Sequence, residues 1–153
     1  MAVTWRFLLF VALSTAPLVT GAAQLKCESL LLSPSIQWHL MRGPDGFACV
    51  AVQRDRAELF RVVFSEFPNT SSLHGPEWEP AVIGGITLKW SVVRQAAFPR
   101  QAMIHLSTRG GGMKIKMVVA IPQAPESRIR VAKSLIRAIR IPLGLEIGRR
   151  NEV

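Results

Sequence analysis

Four basic residues, Arg130, Lys133, Arg137 and Arg140, recur at three- and four-residue spacing near the end of the 153-residue chain. On an α-helix that spacing gathers them on one face, while Ile129, Ala132, Leu135, Ile136 and Ile139 share another arc. A stripe of this kind has two uses. It can dock an anionic polymer, a lipid surface or an acidic protein. It can equally be the solvated side of a helix whose aliphatic arc packs on a core.

A second candidate is Trp78, set between Glu77 and Glu79 in a stretch with three prolines, Pro68, Pro76 and Pro80. An aromatic in an irregular loop is a natural contact residue. Two nearby carboxylates also bring acid–base hydrolysis to mind, but that chemistry needs a set separation that sequence does not supply. Solvated carboxylates on a turn explain the pair more simply. Asn69-Thr70-Ser71 in the same stretch fits the N-glycosylation pattern.

Other chemistry lacks its residues. His39, His74 and His105 fall in three segments, with no HExxH or i, i+4 pairing for a metal. There is no GxSxG elbow, no P-loop and no cysteine in a catalytic context. Nothing calls for a cofactor. The two cysteines, Cys27 and Cys49, have neither CxxC nor zinc-ligand spacing, and their even number in an oxidising compartment predicts a disulfide.

The compartment follows from residues 1–23. Arg6 supplies a positive n-region, Phe7 to Leu13 an apolar h-region, and small residues run to Ala22 and Ala23, the pattern of a cleaved signal peptide. Even stretched to Val19, the apolar segment has about 13 positions against the roughly 20 of a membrane-spanning helix. Lys26 directly before Cys27 argues against a lipidated cysteine. The expected product is an exported protein, periplasmic or extracellular, with residues 24–153 as a single domain.

Net charge is +9. From residue 101 onward ten basic residues stand against three acidic ones. A field of that sign attracts anionic partners, or merely keeps the protein soluble. Charge alone would suit nucleic acid, but export takes the chain away from it, and no aromatic stacking set interleaves the basic residues.

The elements that must position these residues are read from periodicity. Ser35 to Met41 alternates as a strand, with Ile36, Trp38 and Leu40 on one face. Gly43-Pro44-Asp45-Gly46 turns the chain into Phe47 to Gln53, and Arg54-Asp55-Arg56 turns it into Ala57 to Phe67. After the irregular stretch 68–80, Ile86 to Arg94, Met103 to Arg109 and Met113 to Ile121 read as strands, the first with Leu88, Trp90 and Val92 on its apolar face and Lys89 and Ser91 on the other. In the last of these Lys114 and Lys116 oppose Met113, Ile115, Met117 and Val119, which predicts a wet, basic sheet face. Pro125 and Glu126 open the helix, and Ile141-Pro142 should close it. Residues 143–153 add an edge strand or fray.

The fold expected is α+β: a meander of about five or six antiparallel strands packed against one C-terminal amphipathic helix. The function expected is a non-catalytic exported protein that binds an envelope component or a partner protein through the helix face or Trp78. The alternatives are an inhibitor of an exported enzyme and a small hydrolase with an unrecognised site.

Overall fold

The computed structural model describes residues 26–66, 73, 75–110 and 112–148. The predicted signal peptide, His74 and the Asn69 sequon lie outside the described residues. Among the described residues eight strands are formed: β1 (Ile36–Gly43), β2 (Gly46–Gln53), β3 (Glu58–Glu66), β4 (Glu77–Ile83), β5 (Ile86–Val92), β6 (Arg100–Thr108), β7 (Lys114–Ile121) and β8 (Leu145–Ile147). Helix α1 (Glu126–Ile136) lies between β7 and β8. The α+β class holds, with a larger sheet than expected.

The connectivity is not one meander. The order along the sheet is β1-β2-β3-β7-β6-β5-β4, every pair antiparallel. Two meanders, β1–β3 and β4–β7, therefore join through the β3–β7 pair, and the chain between β3 and β4 leads to the far edge. Phe64 faces Met117 and Val62 faces Val119 across that seam. β5 meets β6 through two residue pairs, Ser91 with Gln101 and Val92 with Arg100, and β8 takes the far end of the same β6 edge, Leu106 to Thr108. The tail thus supplies an edge strand at 145–147.

One sheet face carries the core. Phe60, Val62, Ile83, Trp90, Ile104, Met117 and Val119 are buried there, with Ile129, Ala132 and Ile136 of α1 above them. Burying each isoleucine of that helix arc is worth roughly 1.5–3 kcal/mol. Ile139, just past α1, is also buried, whereas Leu135 is half-buried. Trp90 sits in the core as its alternation predicts; Trp38 is half-buried, edge-on to Phe60 at 5.8 Å between ring centroids.

The expected disulfide is present. Cys27 opens a single 3-10 turn and bonds to Cys49 on β2, with Cα atoms 5.5 Å apart. This places Leu30 and Leu31 in the core. The Leu30 carbonyl then accepts the Arg140 N–H at 2.7 Å, tying both ends of the domain together.

Two close approaches require glycine. Gly84 (φ +56°) sits in the β4–β5 hairpin, where a Cβ would lie 2.5 Å from the Ile139 carbonyl oxygen. At Gly46 a Cβ would run into the Phe64 carbonyl. The first tucks the β4–β5 hairpin under the end of α1; the second lets β2 lie flush on β3.

Three further expectations need correction. Glu77-Trp78-Glu79 belongs to strand β4 rather than to a loop. Pro80 is compatible with a strand because β4 is an edge, where its missing N–H interrupts no ladder bond. Lys116 is 7% exposed, so the face it shares with His105 is not uniformly wet. Finally, α1 ends at Ile136 rather than at Ile141, because the last turns tighten into i→i+3 bonds: Ala138 N–H to the Leu135 carbonyl and Ile139 N–H to the Ile136 carbonyl.

Candidate functional site

The predicted cationic residues divide by what meets them. Arg130 stands exposed on the outer face of α1, Arg137 caps its C-terminus, and Arg140 lies beyond the helix, also exposed. None of these three makes an ion pair among the described residues. Lys133 differs: half-buried, its Nζ donates to Glu79 Oε2 of β4 at 3.4 Å. It belongs to an internal network rather than to a free stripe.

Glu79 is the centre of that network. Arg100 of β6 grips it as a fork, Nε to Oε2 at 2.9 Å and Nη2 to Oε1 at 3.2 Å. These hydrogen bonds, with the Arg100 and Lys133 charges, hold its carboxyl below the usual carboxylate range against a smaller opposing effect of burial. The neighbouring Glu77 receives Arg94, Nη2 to Oε2 at 2.8 Å. A general acid must stay protonated near neutral pH, and a carboxyl held ionised by a guanidinium is tuned the other way. Glu79 is therefore tuned away from the role of a general acid.

Sequence reasoning missed a contribution from the β2–β3 turn. Arg128, on α1, donates Nη2 to Asp55 Oδ2 at 3.3 Å, and Asp55 Oδ1 in turn accepts the Ala57 N–H at 3.0 Å. The turn is thereby docked beside the helix, with Arg54 and Arg56 exposed on either side of Asp55. Arg56 adopts φ 65°, which turns the chain within three residues. The signal was present as the triplet Arg54-Asp55-Arg56, but nothing in the sequence says which distant residue takes the aspartate.

Trp78 is 54% exposed. On β4 its neighbours in alternation, Glu79 and Ala81, point toward α1 and the core, so the indole projects from the opposite sheet face. The structure does not bring Trp78 and the arginines of α1 together. They are two separate surfaces.

A groove of about 470 Å³ lies at the N-terminal end of α1, with Arg94, Arg100, Gln123 and Ile129 in its walls. Both of its arginines are already paired with Glu77 and Glu79. Among the described residues no three His, Cys, Asp or Glu side chains converge as a metal ion would require. No helix there is long and apolar enough to cross a membrane. Comparison with known protein families, curated proteins and solved structures finds no match for this chain.

Proposed function

We propose that this chain is a small exported, non-catalytic binding protein whose α1 side docks an anionic component of the cell envelope, a polymer, a lipid surface or an acidic protein. The observation that carries the reading is a contrast in charge use. Arg61, Arg94, Arg100, Arg128 and Lys133 are all engaged by carboxylates. Arg130, Arg137 and Arg140 are held on the rigid helix and its exit, exposed and without such a partner among the described residues. An unneutralised set on a fixed scaffold is pre-organised for an external anion. The Cys27–Cys49 disulfide is compatible with an oxidising, exported location.

The test is charge reversal at the three free arginines, R130E/R137E/R140E, leaving Lys133 and its structural partner intact. Binding to vesicles with and without anionic lipid, and to a soluble polyanion, is measured over a range of salt. At about 1 kcal/mol per basic residue near an anionic surface, reversal of three should weaken binding by at least about 100-fold. Trp78→Ala, on the other sheet face, should leave it unchanged. Wild-type protein that binds no anionic surface at low salt, or a triple variant that binds as well, overturns the reading.

A further inference from the structure

We propose that β1 is a self-association edge: two copies of this chain pair β1 with β1 antiparallel, centred on His39, and join their sheets into one. Among the described residues no strand covers the outer side of β1. An edge strand leaves a row of N–H and C=O groups that another extended backbone satisfies. β1 has little of the usual protection against this, its one charged residue, Arg42, standing next to its end. It is eight residues long, contains no proline and pairs with β2 without a register break.

Its side chains also read as those of a covered strand. Leu40 is 47% exposed and Met41 is 52% exposed, on opposite faces of the ribbon. Arg42 is the only Asp, Glu, Lys or Arg residue of β1. In a molecule of net charge +9 this makes β1 a nearly neutral edge, where a like molecule meets little repulsion.

The register follows from geometry. In an antiparallel ladder outward-pointing residues must face one another, so self-pairing centres on a residue and not between two. Centred on His39, Trp38 lies opposite the partner's Leu40, Gln37 opposite the partner's Met41 and Ile36 opposite the partner's Arg42. The two arginines then stand at opposite ends of the shared ladder, about 20 Å apart at 3.4 Å per residue, beyond the screening length of physiological salt. The contact is isologous and closed, so it yields a dimer and not a fibre.

The symmetry has a functional corollary, which rests on the proposed anionic contact. The two-fold axis stands perpendicular to the joined sheet, so both α1 helices lie on the same side. A dimer thereby presents two arginine sets to one surface and gains from bivalent attachment.

Sedimentation of the disulfide-closed protein, from low micromolar to sub-millimolar concentration, tests the pairing independently of any ligand. The expected result is a concentration-dependent dimer that L40K/M41K converts to monomer with unchanged circular dichroism. Trp78→Lys on the opposite edge should leave the dimer intact. A His39→Cys chain should form a covalent dimer on mild oxidation, since directly opposed Cβ atoms lie about 4.5–5.5 Å apart. A wild-type chain that stays monomeric throughout, a dimer that L40K/M41K leaves intact, or one that Trp78→Lys dissolves overturns the proposal. Loss of anion binding with the dimer retained would instead count against the proposed function alone.

Discussion

The two edges of the sheet solve the same problem in different ways. β4 carries Pro80, which removes a donor, and Glu77 and Glu79, whose carboxylates are taken up by Arg94, Arg100 and Lys133. Proline and charge are the common defences of a strand that must not pair further. β1 has no proline and a single charged residue, Arg42, near its end, and is fixed instead from within: the disulfide anchors the segment before it to β2, and Trp38 leans on Phe60. One edge is closed by ion pairs; the other is stapled from behind and, among the described residues, left open in front.

The largest expected effect comes from cutting the staple. Replacing both Cys27 and Cys49 by alanine frees a loop spanning 22 residues, worth about 3 kcal/mol in the chain-entropy argument. Urea unfolding of the double variant should show a midpoint lowered to match. If β1 owes its edge geometry to the staple, self-association should weaken along with stability. A double variant as stable as the parent would mean that hydrophobic packing of Leu30 and Leu31 alone holds this side.

The next effect lies on the closed edge. Glu79→Gln removes the negative charge and one of the two acceptor oxygens that hold a bidentate arginine and Lys133, and charge-assisted bonds of this partly buried kind are worth about 1.5–3 kcal/mol. The pH dependence has a definite sign. Because folding holds the Glu79 carboxyl below its ordinary value, its contribution is present above the ordinary carboxylate range and is lost as pH falls through the lowered value. The thermal stability of the wild type should therefore fall in acid, and Glu79→Gln should flatten that part of the profile. An identical acid slope in the variant would show that other carboxylates govern it.

How much of this was legible in the sequence depends on the range of the interaction involved. Period-2 alternation in 86–94 and 113–121 assigned Trp90, Ile115, Met117 and Val119 to the core face, and the helical arc through Ile129, Ala132 and Ile136 was correct, because these patterns are local. The place of β7 beside β3 was hidden, since Phe64 and Met117 meet across more than fifty intervening residues that carry no mark of the pairing. Alternation also separated Lys116 from its apolar neighbours without revealing that the face it joins buries it. Glu77 to Glu79 looked like loop because proline and charge are loop residues as well as edge-strand residues. The helical wheel likewise grouped Lys133 with Arg130 and Arg137; only the arrival of Glu79 from another strand tells them apart.

The smallest expected effect separates the two carboxylates of β4. Glu77 and Arg94 are 48% and 76% exposed at their side chains, against 31% and 19% for Glu79 and Arg100. Water competes for exposed ions and two long side chains must be ordered to meet, so surface pairs contribute little. Glu77→Gln should leave the unfolding midpoint unchanged within error at moderate salt, while Glu79→Gln lowers it. A double variant should then match Glu79→Gln alone, because the outer pair adds nothing independent. If Glu77→Gln instead destabilised the fold as much as Glu79→Gln, the four side chains would act as one coupled unit. The closed edge would then owe its stability to that network as much as to Pro80, and the contrast with β1 would be one of covalent against electrostatic fastening.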